Sequence, residues 1–412
     1  MKAKIKLNKY KNNIISISGS KNSSLPIIAA SILCDEYLTL NNIPNIKDVT
    51  LLIDILRNLG QTIIFKNNTL TIYPHKITTN ALFDSNISKL RGSYYLIGSI
   101  IGSNKECDFS IIYPGGCTLG SRPINFHINA FRKMGLLVNT KKEKIHFEGN
   151  IHPTIHDLDY PSVGTTINII LASVKLEGIT IINNCALEPE IIDLINFLNS
   201  MGANISISNH TIIINGVNYL HSTNYTVSSD RIEAGTFLIL GALHNGITIK
   251  NINPNDIYSL INLLRSINID ISMTNNSVTI HKNKELKPFN LVISPYPGFP
   301  TDLGPLICVL ATQINGTSTI KDTVYKTRNS HIKELNKMNC LISCNKSIIS
   351  IEGISKIKNK TIKAYDLRCC ASLILAASLN NKFTTIKNID YIFRGYENIK
   401  DKLNSLGIDF IV

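Results

Sequence analysis

Residues 19–33 read GSKNSSLPIIAASIL: a polar turn holding one lysine, then a run of small and apolar residues with no polar face. A helix that is apolar all round must be buried. Its first turn leaves unpaired N–H groups and positive potential, which suit an anion. The pattern returns as LRGSYYLIGSIIG from Leu90, PSVGTTINIILAS from Pro161, SDRIEAGTFLILGAL from Ser229, PTDLGPLICVLAT from Pro300 and DLRCCASLILAASL from Asp366. Six copies at a period of roughly 70 residues mark an internal repeat.

Each copy continues in a similar way. Strand-like stretches follow, such as EYLTLNNIP (36–44), GITIINNCA (178–186), GITIKNINP (246–254) and KFTTIKNID (382–390), where Thr and Ile alternate. Amphipathic helices come next: DVTLLIDILRNLG (48–60), EIIDLINFLNSMG (190–202), DIYSLINLLRSIN (256–268) and ENIKDKLNSLG (397–407). Gly60, Gly202 and Gly407 stand where a left-handed residue ends a helix. Hairpins close the copies, as in QTIIFKNNTLTIYP (61–74) and IDISMTNNSVTIHK (269–282), with Asn-Asn tips suited to positive φ.

The sixth copy stops at IDFIV with no second strand, and KIKLNKYKNNIISIS (4–18) is available to complete it. The expectation is a chain that starts in one domain, builds the other and returns. Residues 21–228 form one domain; residues 1–20 and 229–412 form the second. A length of 412 residues suits two such domains.

Composition narrows the function. With 44% hydrophobic and 17% charged residues the chain is globular. Apolar runs fall short of the roughly 18–20 residues that span a bilayer, and the basic start lacks a signal-peptide stretch. A cytoplasmic protein with no membrane partner is expected. The net charge of +13 comes from lysines scattered among asparagines and isoleucines, as an A+T-rich genome produces, so no nucleic-acid partner is expected. The nine cysteines include no Cys-x-x-Cys pair and no His-Cys cluster of ligand spacing, so neither metal nor disulfide framework is expected.

Arginine is rare here and therefore informative. Of nine, Arg91, Arg122, Arg231, Arg328, Arg368 and Arg394 fall in turns or helix starts, whereas Arg57, Arg132 and Arg265 fall on polar helix faces. A guanidinium grips phosphate or carboxylate through two bonds, which lysine does not reproduce. With Lys21, these groups would line a cationic chamber at the helix starts. The second copy also carries YPGGCTLGSRPINFH (113–127), a glycine-rich loop with Cys117 near Arg122. A thiol beside fixed cations is acidified and reactive; the other eight cysteines read mostly as buried small hydrophobes.

GSKN (19–22), PGGCTLGSRP (114–123), ALEPEIIDLINFL (186–198), SSDRIEAGTF (228–237), FPTDL (299–303), DLRCCASLILA (366–376) and RGYENIKDKL (394–403) resemble the UDP-N-acetylglucosamine enolpyruvyl transferases. The likeness spans essentially the whole chain in order, and the cysteine loop is its most specific part. It implies an α/β fold of two similar domains, each of three βαβαββ-type repeats with helices facing inward (an inside-out α/β barrel), and an active site in the interdomain cleft. It also implies transfer of the enolpyruvyl group of phosphoenolpyruvate to the 3′-hydroxyl of UDP-N-acetylglucosamine, with release of phosphate. That step opens peptidoglycan synthesis and needs no metal or organic cofactor.

By position, Cys117 matches the family's proton donor and fosfomycin target, and Asp302 matches the carboxylate at the sugar hydroxyl, a candidate base. Lys21, Arg122 and Arg394 match groups around phosphoenolpyruvate; Asn22 and Arg91 match further substrate contacts. Arg122, Pro123, Ile124, Asn125 and Phe126, then Tyr160, Pro161, Ser162 and Val163, then Val324, match stretches that hold the UDP-sugar. Arg328 and Arg368 match basic residues lining the cleft. Tyr160 stands where lysine is common, Asn125 where aspartate is, and Gly304 where glutamine is.

The chemistry fits those residue types. Protonating the methylene of phosphoenolpyruvate builds oxocarbenium character, and departing phosphate needs fixed cations. Read without the resemblance, Asp302 is equally an ordinary helix cap. Three rival readings remain: an enolpyruvyl transferase with another acceptor, a nucleotide-sugar binder without catalysis, and a basic nucleic-acid binder with steep salt dependence.

Overall fold

The computed structural model describes every residue except 12, 78–81, 105, 116–123, 142 and 283–284. Each repeat supplies a small-residue helix and an amphipathic one. In chain order these are α1 (Lys21–Ala30) and α2 (Lys47–Asn58), α3 (Tyr95–Ser103) and α4 (Asn125–Lys133), α5 (Val163–Ser173) and α6 (Pro189–Ser200). There follow α7 (Arg231–His244) and α8 (Tyr258–Ser266), α9 (Gly304–Ala311) and α10 (Ser330–Lys337), α11 (Leu367–Ala377) and α12 (Ile399–Ser405).

The structure divides into a terminal unit, Met1–Ser18 with Ser229–Val412, and a central unit made from the described residues of 19–228. The break after Ser18 comes earlier than the expected break after residue 20. Gly19 and Ser20 are held in the central unit: a Cβ on Gly19 would strike the Asn42 carbonyl, and Ser20 N donates to Ser228 O at 2.7 Å.

Inside each unit the small-residue helices pack on one another. In the central unit α3 lies on α1 and α5; in the terminal unit α9 lies on α7 and α11. Buried residues run unbroken from Thr165 to Ser173 in α5 and from Arg368 to Ala377 in α11. Each buried Leu or Ile contributes roughly 1.5–3 kcal/mol, so these helices are the cores. The α3–α5 approach depends on Gly98, where a Cβ would fall 2.7 Å from the Asn168 carbonyl oxygen.

Two devices recur at the outer helices. Each ends through a positive-φ residue two positions past its last turn: Gly60 (98°), Gly135 (111°), Gly202 (94°), Asn268 (74°), Asn339 (74°) and Gly407 (78°). Asparagine replaces glycine at α8 and α10 because it tolerates the left-handed region. The second device ties helix to hairpin six residues on. Arg57 donates to Ile63 O (3.0 Å), Arg132 to Val138 O (2.7 Å) and Arg265 to Ile271 O (3.1 Å). Asn199 and Asn336 do the same to Ile205 O and Ile342 O. The three helix-face arginines are therefore structural. At the hairpin tips Asn67 (49°) and Asn68 (59°) take positive φ, but Asn275 and Asn276 do not; there Thr274 Oγ1 accepts from Asn276 N at 3.3 Å instead.

Five of the six sheets share one plan, a short parallel edge strand, a central strand, then two antiparallel strands, while the sheet of the second repeat shows three antiparallel strands among the described residues. In the sixth repeat the order is Thr361–Lys363, Thr384–Lys387, Lys2–Leu7, Ile408–Ile411. The N-terminal strand thus occupies the place of the absent hairpin strand, antiparallel to both neighbours. The N-terminal segment does not serve that sheet alone. Ile14–Ser16 pairs in parallel with Ile247–Lys250 of the fourth repeat.

Candidate active site

Asp302 lies in the 3-10 turn Thr301–Leu303 that leads into α9. It caps no helix. Its Oδ1 accepts from Arg328 Nη1 at 2.6 Å and its Oδ2 from Arg368 Nη2 at 2.7 Å. Both arginines are buried, at 7% and 6% exposure, while the Asp302 side chain keeps 23%. Burial works against the carboxylate's charge, but the two guanidiniums prevail and hold the Asp302 carboxyl well below its ordinary range. The same carboxylate raises Arg368 against burial.

Each arginine has its own holder. Arg328 Nη1 also donates to Thr301 Oγ1 (3.3 Å), and Thr301 Oγ1 donates to Asp322 Oδ2 (2.6 Å). Asp322 Oδ1 accepts from Val324 N (2.9 Å) and Tyr325 N (2.7 Å), so Val324 is linked to Asp302 through Asp322, Thr301 and Arg328 in turn. On the other side Arg368 Nη1 donates to Tyr396 Oη at 3.2 Å. Tyr396 follows Arg394, the last residue of the turn Ile389–Arg394. Asp302, Val324, Arg328, Arg368 and the Arg394 turn thus form one connected set.

In the central unit Lys21 opens α1, after the Ser20 hydroxyl that accepts from Ser23 N at 3.1 Å. Lys21 Nζ pairs with buried Asp48 Oδ2 at 2.6 Å. Asn22 Nδ2 reaches Glu190 Oε1 at 3.5 Å. The Arg91 guanidinium lies 5.2 Å from the Tyr94 ring centre, and Tyr94 stacks on His127 at 5.6 Å. Asn168 Nδ2 donates to His127 Nδ1 (2.9 Å), and Gly98 N donates to Asn168 Oδ1 (2.9 Å). Burial, aided by Arg91, lowers His127 to about 4, so it is neutral at neutral pH.

His127 also joins two candidate stretches. It follows buried Ile124 and exposed Asn125 and Phe126, and a Cβ on Gly164 would fall 2.8 Å from its Cε1. Gly164 comes directly after Tyr160, Pro161, Ser162 and Val163. There Ser162 N donates to Tyr160 O (2.7 Å), and Ser162 Oγ caps α5 by accepting from Thr165 N at 3.4 Å.

The expected cationic chamber needs correction in the terminal unit. Asp230 and Asp366 cap α7 and α11 with carboxylates, whereas α1 and α5 carry neutral serine caps. A carboxylate at a helix start offsets the positive potential, and Asp302 offsets two arginines besides. The two serine-capped helix starts, those of α1 and α5, belong to the central unit. Cys117, Arg122 and Pro123 lie outside the described residues. Of the other cysteines, Cys34, Cys107, Cys185, Cys308, Cys340, Cys369 and Cys370 are buried and Cys344 is exposed. Burial pushes the Cys107 and Cys185 thiols up to about 11 and Cys369 to about 12, so none of these is an acidified nucleophile. Among the described residues no group of His, Cys, Asp and Glu could hold a metal ion, and no helix is long and apolar enough to cross a membrane.

Sequence reading missed Asp48, Glu190, His127, Asp322 and Tyr396. Tyr396, Glu190 and His127 lay within the stretches 394–403, 186–198 and 113–127 without being singled out; Asp48 and Asp322 read as ordinary helix or turn polarity.

The EPSP synthase (3-phosphoshikimate 1-carboxyvinyltransferase) family model matches residues 6–403. UDP-N-acetylglucosamine 1-carboxyvinyltransferase 2 of Bacillus cereus is 38% identical over 96% of this chain and 93% of its own length. The UDP-N-acetylglucosamine 1-carboxyvinyltransferase of Thermotoga maritima is 35% identical over 95% and 94%. Among solved structures, the enolpyruvyl transferase NikO from Streptomyces tendae superposes with a TM-score of 0.87 at 21% identity, over 99% and 98% of the two chains. EPSP synthase from Acinetobacter baumannii gives 0.77 at 17%, over 100% of both. Those two structures bear on the fold, which is the mixed α/β fold of the enolpyruvyl transferases.

Proposed function

The chain belongs to the EPSP synthase family of enolpyruvyl transferases, and on that premise we propose that it moves the enolpyruvyl group of phosphoenolpyruvate to the 3′-hydroxyl of UDP-N-acetylglucosamine, releasing phosphate. This is the first committed step of peptidoglycan synthesis, in the cytoplasm. The acceptor follows from relatives named for UDP-N-acetylglucosamine at 35–38% identity over nearly the full length. The geometric observation that carries the reading is one carboxylate, Asp302, held between two buried guanidiniums.

The reaction adds and then eliminates. A proton goes to the methylene carbon of phosphoenolpyruvate, the sugar oxygen bonds to the adjacent carbon, and the hydroxyl loses its proton. The adduct then loses phosphate from that carbon and a proton from the new methyl group, restoring the double bond. Cys117 is assigned as the first proton donor, and Lys21, Arg122 and Arg394 as the cations on phosphoenolpyruvate. Asn22 and Arg91 are assigned as further substrate contacts. Ile124 to Phe126 and Tyr160 to Val163 are assigned to the nucleotide sugar, along with Pro123 and Val324. The neutral caps of α1 and α5 support placing anions in the central unit.

Asp302 is assigned to the acceptor hydroxyl. With both guanidiniums in place it is a weak base, because each favours its charged form. It is then a fixed acceptor that orients the hydroxyl. A substrate anion that draws one guanidinium away would raise its basicity. Arg328 and Arg368 are thus assigned to hold Asp302 and to meet substrate charge.

Phosphate release from phosphoenolpyruvate with UDP-N-acetylglucosamine, against the same assay with shikimate 3-phosphate, tests the reading. Release with the nucleotide sugar alone is expected. Release with shikimate 3-phosphate alone would move the chain to the other branch of its family; release with neither would remove the catalytic assignment.

A further inference from the structure

Behind Asp302 a line of hydrogen bonds runs into the core of the terminal unit. Arg368 Nη1 donates to Tyr396 Oη (3.2 Å), Tyr396 Oη lies 2.8 Å from Thr236 Oγ1, and Thr236 Oγ1 donates to Ile232 O (2.8 Å). A hydroxyl has one proton to donate. Thr236 directs its proton to the Ile232 carbonyl, so the proton between the two hydroxyls comes from Tyr396. The Tyr396 oxygen is left as an acceptor for Arg368. The direction of every bond is therefore fixed, from Arg368 to Tyr396 to Thr236 to Ile232.

This line joins all three inner helices of its unit. Thr236 is on α7, Arg368 on α11, and Asp302 in the turn that opens α9. Exposure is 2% at Tyr396 and 6% at both Thr236 and Arg368, so water is not at hand to replace a lost partner. The Tyr396 ring also lies 5.7 Å from the Arg368 guanidinium carbon. A phenylalanine would fill the same space and keep that contact; only the hydroxyl distinguishes the two. Tyr396 is, besides, two residues from Arg394.

We infer that Tyr396, with Thr236 as its acceptor, is a positioning residue for the transfer reaction: it holds Arg368, and through Arg368 the Asp302 carboxylate, in one orientation. The inference rests on the function proposed above. Both residues are buried and reach Asp302 only through Arg368, so their effect is expected on turnover more than on binding.

Four variants test this: Tyr396→Phe, Thr236→Val, Thr236→Ser and the double Tyr396→Phe/Thr236→Val. Tyr396→Phe leaves a buried guanidinium N–H without its acceptor and is expected to lower kcat about tenfold, with KM for both substrates within about twofold. Thr236→Val, which frees the Tyr396 hydroxyl to swing, is expected to match it. Because the bonds form one line, the double variant is expected to lose no more than either single. Thr236→Ser restores the hydroxyl and is expected to turn over several-fold faster than Thr236→Val. Unchanged kcat in folded Tyr396→Phe, losses that multiply to about a hundredfold in the double, or a folded Thr236→Ser as slow as Thr236→Val would each overturn the inference. If Tyr396→Phe fails to fold, the Thr236 pair decides alone.

A wild-type protein that releases no phosphate would sink the functional reading instead. The positioning claim is then read from the slowly exchanging Arg368 Nη protons by NMR, assigned with Arg368→Lys. They are expected in wild type and lost in Tyr396→Phe; their persistence in Tyr396→Phe overturns the inference.

Discussion

Lys21 Nζ lies 2.6 Å from Asp48 Oδ2, a pair with only 14% and 6% of its side-chain surfaces exposed. The lysine assigned to the reacting phosphate is therefore aimed by a carboxylate on the neighbouring helix α2. Asp48→Asn keeps the shape and removes the charge. It is expected to lower kcat/KM for phosphoenolpyruvate about tenfold and to cost about 1–3 kcal/mol of stability. Steady-state phosphate release and urea unfolding check the two effects.

Asp302 makes a second prediction, in which the sign with pH matters. Its folded carboxyl is held below the ordinary value near 4 by Arg368 and Arg328, against the opposing effect of burial. Its stabilising share is complete above about pH 4 and is lost as pH falls below that, where the unfolded chain takes up a proton first. Asp302→Asn is expected to drop turnover about a hundredfold. It should also unfold with a flatter pH dependence between about pH 4 and 2 than wild type. Urea melts at pH 2.5 and pH 6 measure that difference; equal slopes would refute it.

His331, near the start of α10, is 1% exposed, and both ring nitrogens lack a hydrogen-bond partner among the described residues. Burial lowers it to about 4, so it stays neutral while an unfolded histidine charges near 6.5. Stability is therefore lost as pH falls from about 6.5 to 4, by on the order of 2–3 kcal/mol for this residue. His331→Phe fills a similar volume without orphaned nitrogens. A gain of about 1 kcal/mol at pH 7 and a larger gain at pH 5 are expected in denaturant melts. A variant less stable than wild type at pH 5 would show that the ring has a partner after all.

Cys117 bears on the proton donor. Cys117→Asp keeps an acid at that position and removes the thiol. Turnover is expected to persist and inactivation by fosfomycin to vanish, both read by time-dependent phosphate release. Undiminished inactivation would place the reactive group elsewhere.

Much of the fold was legible because its signals are local. The segment 161–173 is apolar enough to demand burial, and α5 is buried there from Thr165 onward. Gly60, Gly202 and Gly407 marked helix ends because few residues tolerate positive φ. Asn268 and Asn339 were missed because asparagine is common throughout this chain. Arg57, Arg132 and Arg265 were separated from the other arginines by helical spacing alone, but their bonds to carbonyls six residues on were not visible.

The site was legible as a set of residue types and opaque as a set of partners. Hydrophobic period, turn chemistry and the return of one pattern six times depend on neighbours in the chain, so the order of amino acids was enough to establish the repeat and its inner helices. Ion pairing depends on separation in space and on the loss of water. Arg328 is 26 residues from Asp302 and Arg368 is 66 away, yet folding sets both within 2.7 Å of one carboxylate. Only the packed helices, by excluding water and holding the groups at fixed distance, decided that this aspartate bridges two arginines instead of capping its helix.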